Sequence, residues 1–188
     1  MAEDLLEVLD ENGNPTGEIL PKKEVHQQGK WHRCTHIWLY NSKGEILLQK
    51  RSKIKDVHPG LLYVSGGGHI DAGETPEEGG IRELKEEIGL KANVEDLKFV
   101  YVRIVDAFVN NKKATYQNRE FINVYLLKHD GSISNFKLQE EEVEKLELKP
   151  LEVFRMEIND PEKYKEYVQA KEYFEKVIDA ALELAKAQ

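Results

Sequence analysis

The sequence predicts an α/β domain. Three observations carry that reading: short strand-like runs separated by turn formers, one sharply bounded amphipathic helix in mid-chain, and a helical apolar stripe that closes the chain. LLEVLDENGNPTGEIL holds two apolar runs around ENGNPTG and predicts a hairpin within residues 1–24. WHRCTHIWLYNSKGEILLQKRS predicts a second hairpin with NSKG as its turn. A loop, KDVHPG, leads into LLYVSGGGHIDAGE. There the consecutive Gly66, Gly67 and Gly68 require unusual backbone angles or a close approach of backbone to another group.

The mid-chain helix is marked at both ends. Thr75 is the expected N-cap, Pro76 takes the first helical position, and Glu78 completes a T-x-x-E capping box. Ile81, Leu84 and Ile88 form its core stripe, and Gly89 is the expected stop. LKFVYVRIVDAF and REFINVYLLKHDG read as strands, and LKPLEVF as a turn into a short helix. Residues 160–187 read as helical, with Tyr164, Tyr167, Val168, Phe174, Val177, Ile178, Ala181 and Leu182 on the apolar face. The organisation expected is one domain over 1–188: a hairpin (1–24), a core (25–150) and a C-terminal helical extension (151–188) packed on that core.

Composition excludes several classes. The 188 residues carry 35 Asp and Glu against 27 Lys and Arg, a net charge of −8, which disfavours non-specific duplex binding. No apolar run approaches the roughly 20 residues of a membrane span. The start, MAEDLLEVLDENG, lacks the basic and apolar regions of a signal peptide, so a cytoplasmic location is expected. One cysteine, Cys34, excludes an internal disulfide framework and an all-Cys zinc site. A small anionic substrate remains compatible with the acidic balance, because a metal ion and a local basic pocket can hold a phosphate.

RELKEEIGL places Glu83, Glu86 and Glu87 on an arc of about 100° of helix. Like charges at i,i+3 and i,i+4 cost a few tenths of a kcal/mol per pair. Elsewhere such a face would simply be solvated, with Lys85 as partial relief. Here it sits inside GHIDAGETPEEGGIRELKEEIGL, which fits G-x5-E-x7-R-E-U-x-E-E-x-G-U (U aliphatic) at Gly68, Glu74, Arg82, Glu83, Leu84, Glu86, Glu87, Gly89 and Leu90.

On these residues the sequence resembles the Nudix hydrolases. The resemblance implies an α/β/α sandwich with a mixed β-sheet, and a loop–helix–loop that binds Mg2+ or Mn2+ and cleaves a diphosphate linked to another group. It implies Glu83, Glu86 and Glu87 as metal ligands, with the Gly68 carbonyl as a further one. Glu83, Glu87 and Glu120 are the candidate catalytic residues. Glu74 and Arg82 are expected to form a salt bridge fixing loop to helix. The chemistry agrees, since hard dications favour carboxylate oxygens and a filled site relieves the repulsion among them.

Beyond the motif, residues 4–150 also resemble the branch around type I isopentenyl-diphosphate isomerase. That resemblance implies a second metal at His26, His32 and His69, softer than magnesium (zinc or manganese). It further implies a metal or acid–base role for Glu120, and diphosphate contacts from Arg51 and Lys55. One departure is plain. Gly67 stands where the isomerase needs a cysteine, and Cys34 lies in a different strand.

The reading is therefore a divalent-metal-dependent hydrolase that cleaves a small diphosphate compound by water attack at phosphorus, nucleoside diphosphates linked to X being the leading substrates and prenyl and thiamin diphosphates remaining open. An isomerase-like enzyme and a non-catalytic ligand-binding module are the alternatives. The partner expected is the small-molecule diphosphate, with no membrane and no nucleic acid duplex; a homodimer rests on analogy alone. Trp31, Trp38, Tyr101, Phe108 and Tyr116 are the aromatic residues open to base stacking.

Overall fold

In the computed structural model, which describes residues 4–110 and 115–186, one mixed sheet of nine strands is flanked by helices on both faces. The strands are β1 (Leu5–Leu9), β2 (Pro15–Pro21), β3 (Trp31–Tyr40), β4 (Glu45–Arg51), β5 (Leu62–Tyr63), β6 (Gly66–His69), β7 (Lys98–Asn110), β8 (Thr115–Lys128) and β9 (Val143–Pro150). The α-helices are α1 (Lys22–Gln27), α2 (Pro76–Ile88), α3 (Leu151–Asn159) and α4 (Lys171–Lys186).

β3 is the organising strand. It runs parallel to β8 over its whole length and antiparallel to β6, where Cys34 faces His69 and His36 faces Gly67. Its side chains alternate between two cores. Trp38 and Tyr40 join Phe154, Tyr167 and Phe174 under α3 and α4, while Ile37 and Leu39 join Leu84 and Ile88 under α2. This is the α/β/α arrangement expected.

The helix α2 forms as its sequence dictates. Thr75 Oγ1 accepts from the Glu78 amide at 3.2 Å, and the Glu78 carboxylate accepts from the Thr75 amide at 2.9 Å. Gly89 ends it at φ 73°.

Two sequence expectations need correction, and two elements were not foreseen. The second hairpin is one only at its turn, where β3 and β4 share the single pairing Tyr40↔Ile46. Beyond it Ser65 enters between the strands, its Oγ accepting from the Leu39 amide at 2.8 Å and donating to the Leu47 carbonyl at 2.5 Å. β4 then pairs with β9 and β5 instead. Strand β9 was not expected, because VEKLELKP is too charged to read as a strand. α1 was not expected either; it is six residues long and anchored by the buried Val25. Finally, the C-terminal stripe is not one helix. A 3-10 turn (Lys163–Glu166) precedes extended Tyr167 and Val168, and α4 starts only at Lys171. The stripe still packs on the sheet, since Tyr167, Phe174, Val177 and Ile178 are all buried. Ala187, where the expected helix ended, lies outside the described residues. Among the described residues, no helix is long and apolar enough to cross a membrane.

Candidate active site

The glutamates of α2 do not share one environment. Glu86 is about half exposed, with 53% of its side chain accessible. Glu83 is largely covered, and Glu87 is buried at 5% exposure. The reason is the glycine strand. A Cβ at Gly68 would lie 2.5 Å from Glu83 Oε1, and one at Gly66 would lie 2.6 Å from Leu84 Cδ2. Only glycine there lets α2 press its carboxylates against the backbone of β6. The Gly67 amide donates to Glu87 Oε2 at 3.1 Å.

Arg82 ties the arrangement together. It donates to both oxygens of Glu74 at 2.9 and 3.0 Å, to Glu83 at 3.0 Å, to Glu86 at 3.4 Å and to the His69 carbonyl at 2.9 Å. One guanidinium thus orients three carboxylates of the motif and clips the helix to the end of β6.

Glu87 has no cation in ion-pair contact among the described residues. Burial, then the charge of Glu83, pushes its carboxyl up to about 8, with Glu142 adding to the rise and the Gly67 amide and Arg51 opposing it. Burial also raises Glu83. Such a cluster of oxygen donors is costly when empty and suits a hard dication. Gln49 stands beside it, its Oε1 buried without a hydrogen-bond partner.

Arg51 acts on Glu87 electrostatically and donates its Nε to the Val57 carbonyl at 3.0 Å. Lys55 is ion-paired with Glu142. Glu142 and Gln49 were not expected from the sequence. Glu142 lies in an acidic run, QEEEVEKLE, that resembles any solvated segment.

A second group gathers on the opposite face of the sheet. His32, Cys34, His69 and Glu120 offer ligand atoms that all lie within 4.8 Å of one another. The register explains this, because Cys34 faces His69 and His32 faces Glu120. His26 arrives from α1, its Nε2 at 3.2 Å from that of His69. His32 Nδ1 lies 3.1 Å from the Lys30 carbonyl, and its Nε2 is buried without a hydrogen-bond partner. Burial first, and then His32 and Lys22, lowers His26 to about 4. His69 is pushed well down by burial and nearby cations, while burial and Glu120 push the Cys34 thiol well up. The sequence reading brought together the histidines and Glu120 but left out Cys34, whose place beside His69 depends on strand register.

Of the aromatic residues, Trp38 is core, Trp31 packs on Phe121, and Tyr116 stacks on His26. Phe108 is exposed, and Tyr101 borders a cavity beneath α4.

A mixed-sheet sandwich with a glutamate-bearing helix seated on a glycine strand defines the class of domain. The NUDIX domain profile matches residues 30–171, and the chain belongs to that family. It is 37% identical over 158 residues to Nudix hydrolase 3 of Arabidopsis thaliana, a match covering 82% of this chain and 20% of that protein. It is 36% identical over 146 residues to a Nudix hydrolase of Clostridium acetobutylicum, covering 76% of this chain and 68% of that one. The chain therefore spans about a fifth of the first relative's length and about two thirds of the second's. Isopentenyl-diphosphate Delta-isomerase 2 of Photorhabdus laumondii is 35% identical over 104 residues, 55% of this chain and 58% of that enzyme. Among solved structures, a Deinococcus radiodurans protein superposes with TM-score 0.66 at 22% identity, over 92% of this chain and 98% of that one. The NUDIX domain of Shewanella oneidensis NrtR, solved with ADP ribose, superposes with TM-score 0.57 at 15% identity, over 79% of this chain and 86% of that one.

Proposed function

We propose that the protein is a hydrolase of small diphosphate compounds that works with Mg2+ or Mn2+ held by Glu83, Glu86, Glu87 and the Gly68 carbonyl. The observation that carries this reading is the buried, cation-free Glu87 beside Glu83 on a glycine strand. A dication bound there supplies Lewis acidity, neutralising phosphate oxygens and acidifying water.

The residues divide the remaining work. Arg82 holds Glu83 and Glu86 in position and leaves Glu87 to the cleft. Arg51 lies near enough to Glu87 to draw a phosphate toward it, and its guanidinium matches phosphate geometry. Lys55 would exchange Glu142 for phosphate. Glu83 takes the proton of the attacking water.

The histidine group fits a softer cation, given its mixed nitrogen, sulfur and carboxylate donors and the unpartnered His32 Nε2. We assign His26, His32, His69 and Glu120 to that second site, with Cys34 as an additional donor.

Isomerisation is disfavoured. Gly67 has no thiol, and a Cβ there would overlap the Thr35 carbonyl oxygen and lie 3.0 Å from His36 Cδ2. The substrate class favoured is a nucleoside diphosphate linked to X, with ADP-ribose as one compound to try. Turnover in heavy-oxygen water tests the chemistry: label in a phosphate product, seen by mass spectrometry, supports attack at phosphorus, and unlabelled phosphate rejects it.

A further inference from the structure

Strand β7 and helix α4 meet through two crossed pairs. Tyr101 and Arg103, at i and i+2, share one face of β7, and Tyr173 and Lys176, at i and i+3, share one face of α4. Each element gives the other one ring and one cation. The Arg103 guanidinium carbon lies 4.4 Å from the centre of the Tyr173 ring, and Lys176 Nζ lies 4.9 Å from the centre of the Tyr101 ring. Both are cation–π distances. Tyr173 is itself fixed, since it is buried and its hydroxyl accepts from Trp38 Nε1 at 2.6 Å.

The four side chains do not close the joint. They line a cavity of about 590 Å³, which Lys171 and Glu172 also border. Among the described residues, no carboxylate lies within ion-pair distance of Arg103, Lys171 or Lys176. By contrast Arg33, Arg82, Arg119 and Arg155 each pair with a carboxylate, on a chain where acidic residues outnumber basic ones by 35 to 27. Packing of α4 on β7 accounts for the stacked rings. It does not account for the cavity or for the missing counter-charge.

Arg103 is also held ready. It is partly buried, and its Nη1 donates to the Tyr63 hydroxyl at 2.9 Å. Among the described residues its Nε and Nη2 have no acceptor. That edge of a guanidinium is one that grips two oxygens of an oxyanion at once. Bracing by Tyr63 and Tyr173 lowers the entropy cost of ordering the side chain around a ligand.

We infer that this cavity is an anion site in which Arg103 and Lys176, with Lys171, hold the phosphate group of a small molecule. Three cations less the one acid, Glu172, leave two positive charges at the cavity, which match a phosphate dianion better than a carboxylate. The site lies on the α4 side of the sheet, away from α2, and does not depend on the hydrolase reading. The phosphate is either free or part of a monoester, and the probes below separate the two.

The test uses the full chain labelled with nitrogen-15 arginine, in chelator and without divalent metal. The Arg103 Nε–H signal is identified by its loss in Arg103→Lys. Inorganic phosphate, titrated at constant ionic strength, should shift that signal to saturation, and acetate should bind about tenfold more weakly or worse. Adenosine monophosphate binding more tightly than phosphate would assign the site to a monoester; equal binding would assign it to free phosphate. Lys176→Met should weaken phosphate binding by about tenfold, the loss of one charge-assisted contact. Lys176→Arg, which keeps the charge, should retain it. Glu172→Gln should tighten it, because the acid bordering the cavity is gone. Glu87→Gln should leave it unchanged, so the anion site and the hydrolase reading fail separately. An Arg103 signal that does not saturate at millimolar phosphate, acetate bound as tightly as phosphate, or equal affinity in wild type, Lys176→Met and Glu172→Gln would overturn the inference.

Discussion

The amide of Gly67 donates to Oε2 of Glu87 at 3.1 Å, so the strand that carries the glycines holds the deepest of the three motif carboxylates on α2. That bond is far from enough to offset the burial of a carboxylate, and Glu87 is therefore held protonated near neutrality, with its carboxyl at about 8.

Glu87→Gln should lower turnover by orders of magnitude and raise the stability of the metal-free protein. The metal loses a ligand, while the metal-free fold loses a buried acid that it must keep protonated near neutrality. Thermal melts with and without Mg2+ check both halves. Wild-type protein should gain stability on adding Mg2+, and the variant should gain much less.

Stability against pH follows with opposite signs from two sets of groups. His26, lowered from 6.5 to about 4, and His32 and His69, also lowered, bind fewer protons when folded. Stability should therefore rise as pH climbs from about 4 to 6.5. Glu87, raised from 4.5 to about 8, binds an extra proton when folded, so its contribution falls across that window. Below 6.5 the several histidines outweigh it; above, the raised carboxyls, Glu87 foremost, set the slope. Urea midpoints measured in chelator should peak near pH 6.5 and decline toward 8, and Mg2+ should flatten the decline. A steady rise to pH 8 in chelator would contradict the assignment.

Much of this site was legible in the sequence because its determinants are local. The capping box at Thr75 and Glu78, the stop at Gly89 and the i,i+4 spacing of Glu83 and Glu87 fix α2 without reference to the rest of the chain. The glycine run announced a close approach, and the approach is that of Glu83 and Leu84. What the sequence hid depends on long-range pairing. Cys34 meets His69 through register, Ser65 splits an apparent hairpin, and Glu142 reaches Lys55 from an acidic run with no motif. The unequal burial of Glu86 and Glu87 was equally out of reach, since a helical wheel gives angle but not depth.

Gly67→Cys should not restore an isomerase-like thiol. The new Cβ would overlap the Thr35 carbonyl oxygen, and the overpacking should cost about 1–3 kcal/mol or more. Urea unfolding measures the cost directly, and a variant as stable as wild type would show that β6 can move away from β3.

The histidine group should retain zinc or manganese through dialysis against a weak chelator, at a stoichiometry independent of Glu87. His69→Ala should lose that metal, while Glu87→Gln should keep it. Elemental analysis of the three proteins separates the two sites; metal lost together in both variants would mean a single shared one.

The central claim is that the buried glutamates of α2 hold the ion that cleaves a diphosphate. Its most direct test is a phosphorus NMR time course with Mg2+ and a panel of nucleoside diphosphate compounds, run on wild type and Glu87→Gln in parallel. The account predicts that at least one diphosphate resonance is replaced by monophosphate resonances in wild type, that chelator stops the reaction, and that the variant leaves the compound intact. Equal cleavage by wild type and variant, unaffected by chelator, would contradict it.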